Sequence, residues 1–176
     1  MRRGPYFDRV DAVFHYASPI DFFIQRLKFN GQLNYARLLG KLMAIELSDR
    51  YSATGSELPD LIIPVPLHPA RLRERGFNQA LELARPIAAR FNIPIDYKSC
   101  LRIRETAKQS DLPAKSRRQN VKGAFQICGL QADHVVIIDD VMTTGCTVNE
   151  FASKIRGTGV TRIDVWTCAR ASQLNY

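Results

Sequence analysis

Asp139 and Asp140 stand side by side, and the residues that follow include Thr143, Thr144, Gly145, Cys146 and Thr147. Adjacent carboxylates accept hydrogen bonds from the hydroxyls of a polyol. A short turn rich in hydroxyls does the complementary work when a helix starts from it. The first backbone N–H groups of that helix have no partner within it and carry partial positive charge, so they suit a phosphate. Thr143, Thr144 and Thr147 add hydroxyl donors, and Gly145 lets the backbone close on the anion. Two acids beside an anion site conflict if the ligand is a bare phosphate. They agree if the ligand is both polyol and phosphate.

Such a site needs elements to hold it. Val135, Val136, Ile137 and Ile138 precede the acids as a continuous apolar run, expected for a strand buried on both faces. It would deliver both aspartates to its carboxyl end, where open α/β sheets bind ligands. Beyond the turn, Val148, Phe151, Ala152 and Ile155 fall on one helical stripe. A second buried strand is expected at Leu61-Ile62-Ile63, others at residues 11–16 and 163–167, and a weak one at 93–97. A helix near residues 78–91 has Ala84, Ile87, Ala88 and Phe91 inward, with Pro86 predicting a kink or a later start.

Further upstream, Ser18 and Pro19 read as an N-cap and first-turn proline for a helix with Ile20, Phe23, Ile24 and Leu27 inward, stopped at Asn30-Gly31. A second helix, at 35–51, is expected to turn Tyr35, Leu38, Leu39 and Leu42 inward, before a polar linker at 52–59. Alternating strands and helices predict an α/β fold: a doubly wound parallel sheet with an N-terminal helical cap. One domain is expected over residues 1–176, with 1–58 as cap and 59–170 as core.

Composition bounds the rest. At 176 residues, 45% hydrophobic and 24% charged, the chain is an ordinary globular domain. No apolar run approaches the ~20 residues of a membrane span, so it reads as cytoplasmic. Cys100, Cys128, Cys146 and Cys168 form no Cys-x-x-Cys pair, which argues against a zinc knuckle and for packing thiols. Cys146, at a helix start, is the one whose thiolate would be favoured. The net charge of +8 is uneven: Arg71, Arg73 and Arg75 form one basic cluster, and Arg102, Arg104, Lys108, Lys115, Arg117 and Arg118 another. Two solvated faces are the plain reading; a polyanion site for pyrophosphate or nucleic acid is the sharper one.

Three other readings of the acidic motif compete. A Walker B strand would need a Gly-x-x-x-x-Gly-Lys-Ser/Thr loop, and the sequence has none. A phosphoaspartate receiver and a helix cap with incidental aspartates explain less of residues 135–147.

Those thirteen residues resemble the phosphoribosyl pyrophosphate (PRPP) signature of type I phosphoribosyltransferases. Other blocks narrow the resemblance to the ComF/GntX-type family, associated with competence. They are Leu27-Lys28-Phe29; Pro64-Val65-Pro66-Leu67-His68 with Arg71; Arg75-Gly76-Phe77-Asn78-Gln79; and Thr106, Gln109, Leu112, Arg117, Asn120 and Gly123-Ala124-Phe125. The resemblance implies that Asp139 and Asp140 hold the ribose and that Thr143, Thr144, Gly145, Cys146 and Thr147 hold the 5-phosphate. It implies pyrophosphate contacts from Leu67, His68, Arg71, Arg73 and Arg75. It also implies a mobile lid over residues 104–120 involving Arg104, Thr106, Gln109, Leu112, Arg117 and Asn120, with Arg117 acting beside the acids in catalysis. An exposed helix from Ala114 onward is the competing reading of that stretch.

The implied cofactor is Mg²⁺, held through PRPP rather than by protein ligands. The implied reaction moves phosphoribosyl to an unassigned base acceptor. Single-stranded DNA or a competence DNA-translocation protein is a further implied partner, and a homodimer is allowed. Many members carry an N-terminal cysteine cluster resembling a zinc module; here the sequence is expected to open directly on the ribosyl domain.

Overall fold

The computed structural model describes residues 4–106 and 114–171, apart from the side chains of residues 114, 115 and 117. The expectations for Lys108, Gln109 and Leu112, and for the side chains of Lys115 and Arg117, therefore lie outside the described residues.

The buried run expected after residue 134 forms the strand His134–Met142, in which residues 135–138 are fully buried. Its central place explains that burial. It pairs in parallel with Leu61–Pro64 on one side and with Arg162–Arg170 on the other. The strand Arg9–His15 pairs in parallel with the outer edge of Arg162–Arg170. In chain order the strands are β1 (Arg9–His15), β2 (Leu61–Pro64), β3 (Cys100–Arg102), β4 (Phe125–Ile127), β5 (His134–Met142) and β6 (Arg162–Arg170). The main sheet runs β1-β6-β5-β2, so β1, counted with the cap on sequence, is an edge strand. Residues 93–97 give only an isolated bridge, Ile62 to Ile95.

Helices cover both faces, as the strand–helix alternation predicts. They are α1 (Ile20–Asn30), α2 (Leu33–Thr54), α3 (Pro69–Arg75), α4 (Gln79–Phe91), α5 (Ala114–Val121) and α6 (Cys146–Arg156). On one face Ile62, Val136, Ile138 and Trp166 share a core with α1, α2 and α4. On the other, Ile63, Val135, Ile137 and Val165 pack with α6 and with the antiparallel pair β3–β4, which sequence patterning had not suggested.

Several local expectations change. Pro19 is the N-cap of α1 rather than its first residue, and Ser18 contributes no cap. The linker expected from residue 52 begins later, because α2 continues to Thr54. Helix α4 starts at Gln79, with the Asn78 Oδ1 accepting from the Ala80 N–H at 3.0 Å, and runs through Pro86.

The inward face of α2 also differs. Ala36, Leu39, Gly40, Met43, Ala44 and Leu47 are buried, whereas Leu38 and Leu42 are 43% and 40% exposed. The cause lies in α4. A Cβ on Gly40 would sit 2.8 Å from the Leu83 carbonyl oxygen and 2.9 Å from Pro86 Cγ. The two backbones approach so closely there that small residues must face inward, and the bulky leucines turn out.

Candidate functional site

The acids end β5, and the turn after them leads into α6, as read from the sequence. Gly145 is the N-cap of α6 at φ 72°, and no side chain caps the helix. The left-handed conformation suits glycine, and it leaves the helix start open to a ligand. A cavity of about 540 Å³ lies against this turn.

Asp139, Asp140, Thr143, Gly145, Cys146 and Thr147 all line it, as do Leu67, His68, Arg71, Arg75 and Thr106. The stretch carrying the arginines is a short helix, α3, where a loop was expected. His68 starts it, with Nδ1 accepting from the Ala70 N–H at 3.3 Å. Helical spacing then divides the arginines: Arg71 and Arg75 are one turn apart and line the cavity, while Arg73 is exposed and does not. Thr144 lies on the far side of the turn, in a second cavity, and its hydroxyl donates to Cys146 Sγ at 3.2 Å. Arg104 and Asn120 do not line the cavity; the Arg104 guanidinium donates to the Asn120 carbonyl at 2.8 Å, joining the chain before residue 107 to α5. From Ala114, the described part of the expected lid is helical.

The two acids are unequal. Asp140 is almost saturated: its Oδ1 accepts the Val141 N–H at 2.8 Å, and its Oδ2 meets Lys28 Nζ at 2.8 Å and the Gln79 amide at 3.3 Å. Asp139 Oδ1 accepts the Asp140 N–H at 2.9 Å, and its other oxygen has no hydrogen bond among the described residues. Their acidities diverge accordingly. Burial and then the charge of Asp140 push the Asp139 carboxyl up to about 7. Burial would raise Asp140 as well, but the Lys28 ammonium and the hydrogen bonds outweigh it and hold that carboxyl below its ordinary value. Lys28 is raised in turn, the Asp140 charge overcoming the opposite effect of burial.

Lys28 and Gln79 line the site without having been assigned to it on sequence, and Arg102, read there only as one member of a basic cluster, lines it too. Lys28 had a signal: it lies four residues after buried Ile24, on the inward side of α1, where a lysine needs an anion. Arg102 had none beyond its charge. It reaches the cavity only because β3 pairs with β4, which also sets its guanidinium 5.5 Å from the Phe125 ring centroid. Burial lowers its pKa, and its Nε is buried without a hydrogen-bond partner. Its NH2 group donates to Thr106.

Carboxylates and an open helix start thus occupy one wall of the cavity, and Arg71, Arg75 and Arg102 contribute to the rest. Such a cavity can take a ligand that carries both hydroxyls and anionic groups. Among the described residues, no three His, Cys, Asp or Glu side chains cluster to hold a metal ion by themselves. Nor is any helix there long and apolar enough to cross a membrane.

Competence protein F of Haemophilus influenzae is 37% identical to this chain in an alignment 175 positions long that covers 97% of the chain and 76% of that protein. The chain belongs to the competence protein F family. DNA utilization protein YhgH of Escherichia coli O157:H7 is likewise 37% identical, over 97% of this chain and 75% of its own length. No protein-family model matches the chain. Among solved structures, hypoxanthine phosphoribosyltransferase from Trypanosoma cruzi overlaps 78% of this chain and 74% of its own, with 14% identity and a TM-score of 0.41. Purine phosphoribosyltransferase from Pyrococcus horikoshii overlaps 74% and 81%, with 16% identity and a TM-score of 0.37. In this competence protein F relative, sequence blocks from α1, β2–α3, the start of α4 and β5–α6 meet at one cavity.

Proposed function

We propose that the chain binds PRPP and transfers its phosphoribosyl group to a nucleobase-like acceptor, releasing pyrophosphate, in the service of DNA utilisation. The observation carrying this reading is one cavity with the free oxygen of Asp139 and the open α6 start on one wall and three arginines elsewhere in its lining. Asp139 would accept from the ribose hydroxyls, with Asp140 holding its neighbour and the cap in place. The turn at residues 143–147 would take the 5-phosphate. Arg71, Arg75 and Arg102, with Leu67 and His68 beside them, would meet the diphosphate, whose oxygens match the guanidinium fork.

In the transfer, a lone pair on the acceptor nitrogen forms a bond to C1 of the ribose as the C1–oxygen bond to pyrophosphate breaks. The arginines stabilise charge gathering on the leaving group. The acceptor's proton must then leave to the released pyrophosphate or to water, because Asp139 is engaged with the ribose. Residues 104–120, Arg117 included, would exclude water by closing over the ligand. A Mg²⁺ ion would be held through the ligand's own oxygens rather than by protein side chains. When bound, that ion supplies charge neutralisation to the diphosphate.

Titration calorimetry with PRPP and Mg²⁺ tests binding, and release of pyrophosphate across a panel of bases tests transfer. Absence of PRPP binding by the intact protein would overturn the reading. Asp139→Asn should weaken binding at least tenfold, because an acceptor on the ribose is replaced.

A second reading has support in the relatives named for competence and DNA utilization. Arg73 faces away from the cavity beside Arg71 and Arg75, so α3 could also meet a nucleic-acid backbone. Single-stranded DNA would then bind with a steep salt dependence that Arg73→Ala flattens.

A further inference from the structure

We propose that two copies of this chain pair through the outer face of α2, the helices running antiparallel. On the side of α2 away from α4, Tyr35, Leu38, Leu42, Ile45 and Asp49 recur at spacings of three and four residues. That is the seam of a two-helix contact, and its apolar part, Tyr35 to Ile45, extends about 15 Å at 1.5 Å per residue. Leu38, Leu42 and Ile45 are 43%, 40% and 57% exposed. Phe22 of α1, 47% exposed, lengthens the strip by packing edge-on against Tyr35 at 6.4 Å between centroids. Isolated surface leucines need no explanation, but a contiguous apolar strip of this length marks an interaction face.

The charges select the occupant. Arg37 and Lys41 flank the first half of the strip, and Asp49 ends it; all three are exposed and make no ion pair among the described residues. Glu46 is already paired with Arg50 at 2.8 Å. A parallel copy would set like charges opposite one another. An antiparallel copy, with its twofold axis midway between Leu42 and Ile45, sets Asp49 of each level with Leu38 of the other, between its Arg37 and Lys41. This contact is isologous, closes on itself and leaves no open end for a filament.

Sedimentation velocity on the whole protein, from about 1 to 100 µM in low salt, tests the pairing. The expected result is a shift from one chain mass to twice that mass within the range. Leu42→Glu should hold the protein at one chain mass while its circular dichroism spectrum and PRPP affinity stay unchanged, since the side chain is exposed. Asp49→Lys should weaken pairing at least tenfold, and adding Arg37→Glu with Lys41→Glu should restore it. A wild-type protein that stays monomeric throughout overturns the proposal. So does a dimer that survives Leu42→Glu, or one that the reversed charges fail to restore. None of these outcomes depends on PRPP binding, so the pairing and the PRPP reading stand or fall separately.

Discussion

Lys28, in the last turn of α1, sets its ammonium 2.8 Å from a carboxylate oxygen of Asp140 at the end of β5. The pair joins the cap to the sheet at the site itself. Both side chains are largely buried, 23% and 10% exposed, so neither charge has much water to fall back on.

Removing one partner should therefore cost more than removing both. Lys28→Met should lower unfolding free energy by about 3 kcal/mol, because Asp140 would be left buried and uncompensated. The double variant Lys28→Met, Asp140→Asn should recover part of that loss. Urea titrations at neutral pH would read both. The pair's contribution should be full only between the unfolded pKa values. It should fade in acid as Asp140 protonates through its lowered pKa, and in alkali as Lys28 deprotonates through its raised one.

Asp139 should behave in the opposite sense. Its folded pKa is raised to about 7, so the folded state holds a proton that the unfolded state releases near 4. The sign follows: whatever stability this proton contributes is present in acid and is lost as pH rises toward 7. Asp139→Asn should consequently melt higher than wild type at pH 8 while binding PRPP poorly. A variant that melts well below wild type at that pH would show that the carboxylate is not a strained, buried charge.

Gly145→Val should abolish PRPP binding at modest cost to the fold. The φ of 72° strains any branched residue by about 1–2 kcal/mol. The new Cβ would also begin 2.6 Å from Met142 Cε, the mobile end of a flexible side chain that can move aside. Calorimetry and a melting curve on the same sample separate the two effects. Normal binding by this variant would remove the turn from the phosphate site.

Gly40→Ala should be worse for the fold than Gly145→Val. Its Cβ would meet the Leu83 carbonyl and the Pro86 ring, neither of which can rotate away. Helices α2 and α4 would have to separate, an overpacking cost of about 1–3 kcal/mol. Chemical denaturation should register the loss as a lower midpoint with an unchanged slope.

How much of this was legible beforehand depends on the range over which each feature is encoded. The strand, acids, turn and helix of residues 134–156 could be read directly because a buried run, a hydroxyl turn and a 3.6-residue stripe are all local patterns. The parallel sheet followed from the alternation of such segments. Local periodicity, however, could not choose between two apolar faces on α2. Tyr35, Leu38 and Leu42 make as good a stripe as Ala36, Met43 and Leu47, and the choice fell to the close approach of α4 at Gly40. The site's remaining members were hidden for the same reason. Arg102 depends on β3 pairing with a strand that begins at Phe125, and the inequality of Asp139 and Asp140 depends on Lys28, more than a hundred residues away in sequence. The sequence by itself determined that two acids end a buried strand and that a hydroxyl-rich turn leads from them into a helix. The tertiary structure alone decided which of the two acids keeps an uncommitted oxygen, because only packing brings a lysine to one carboxylate and not to the other.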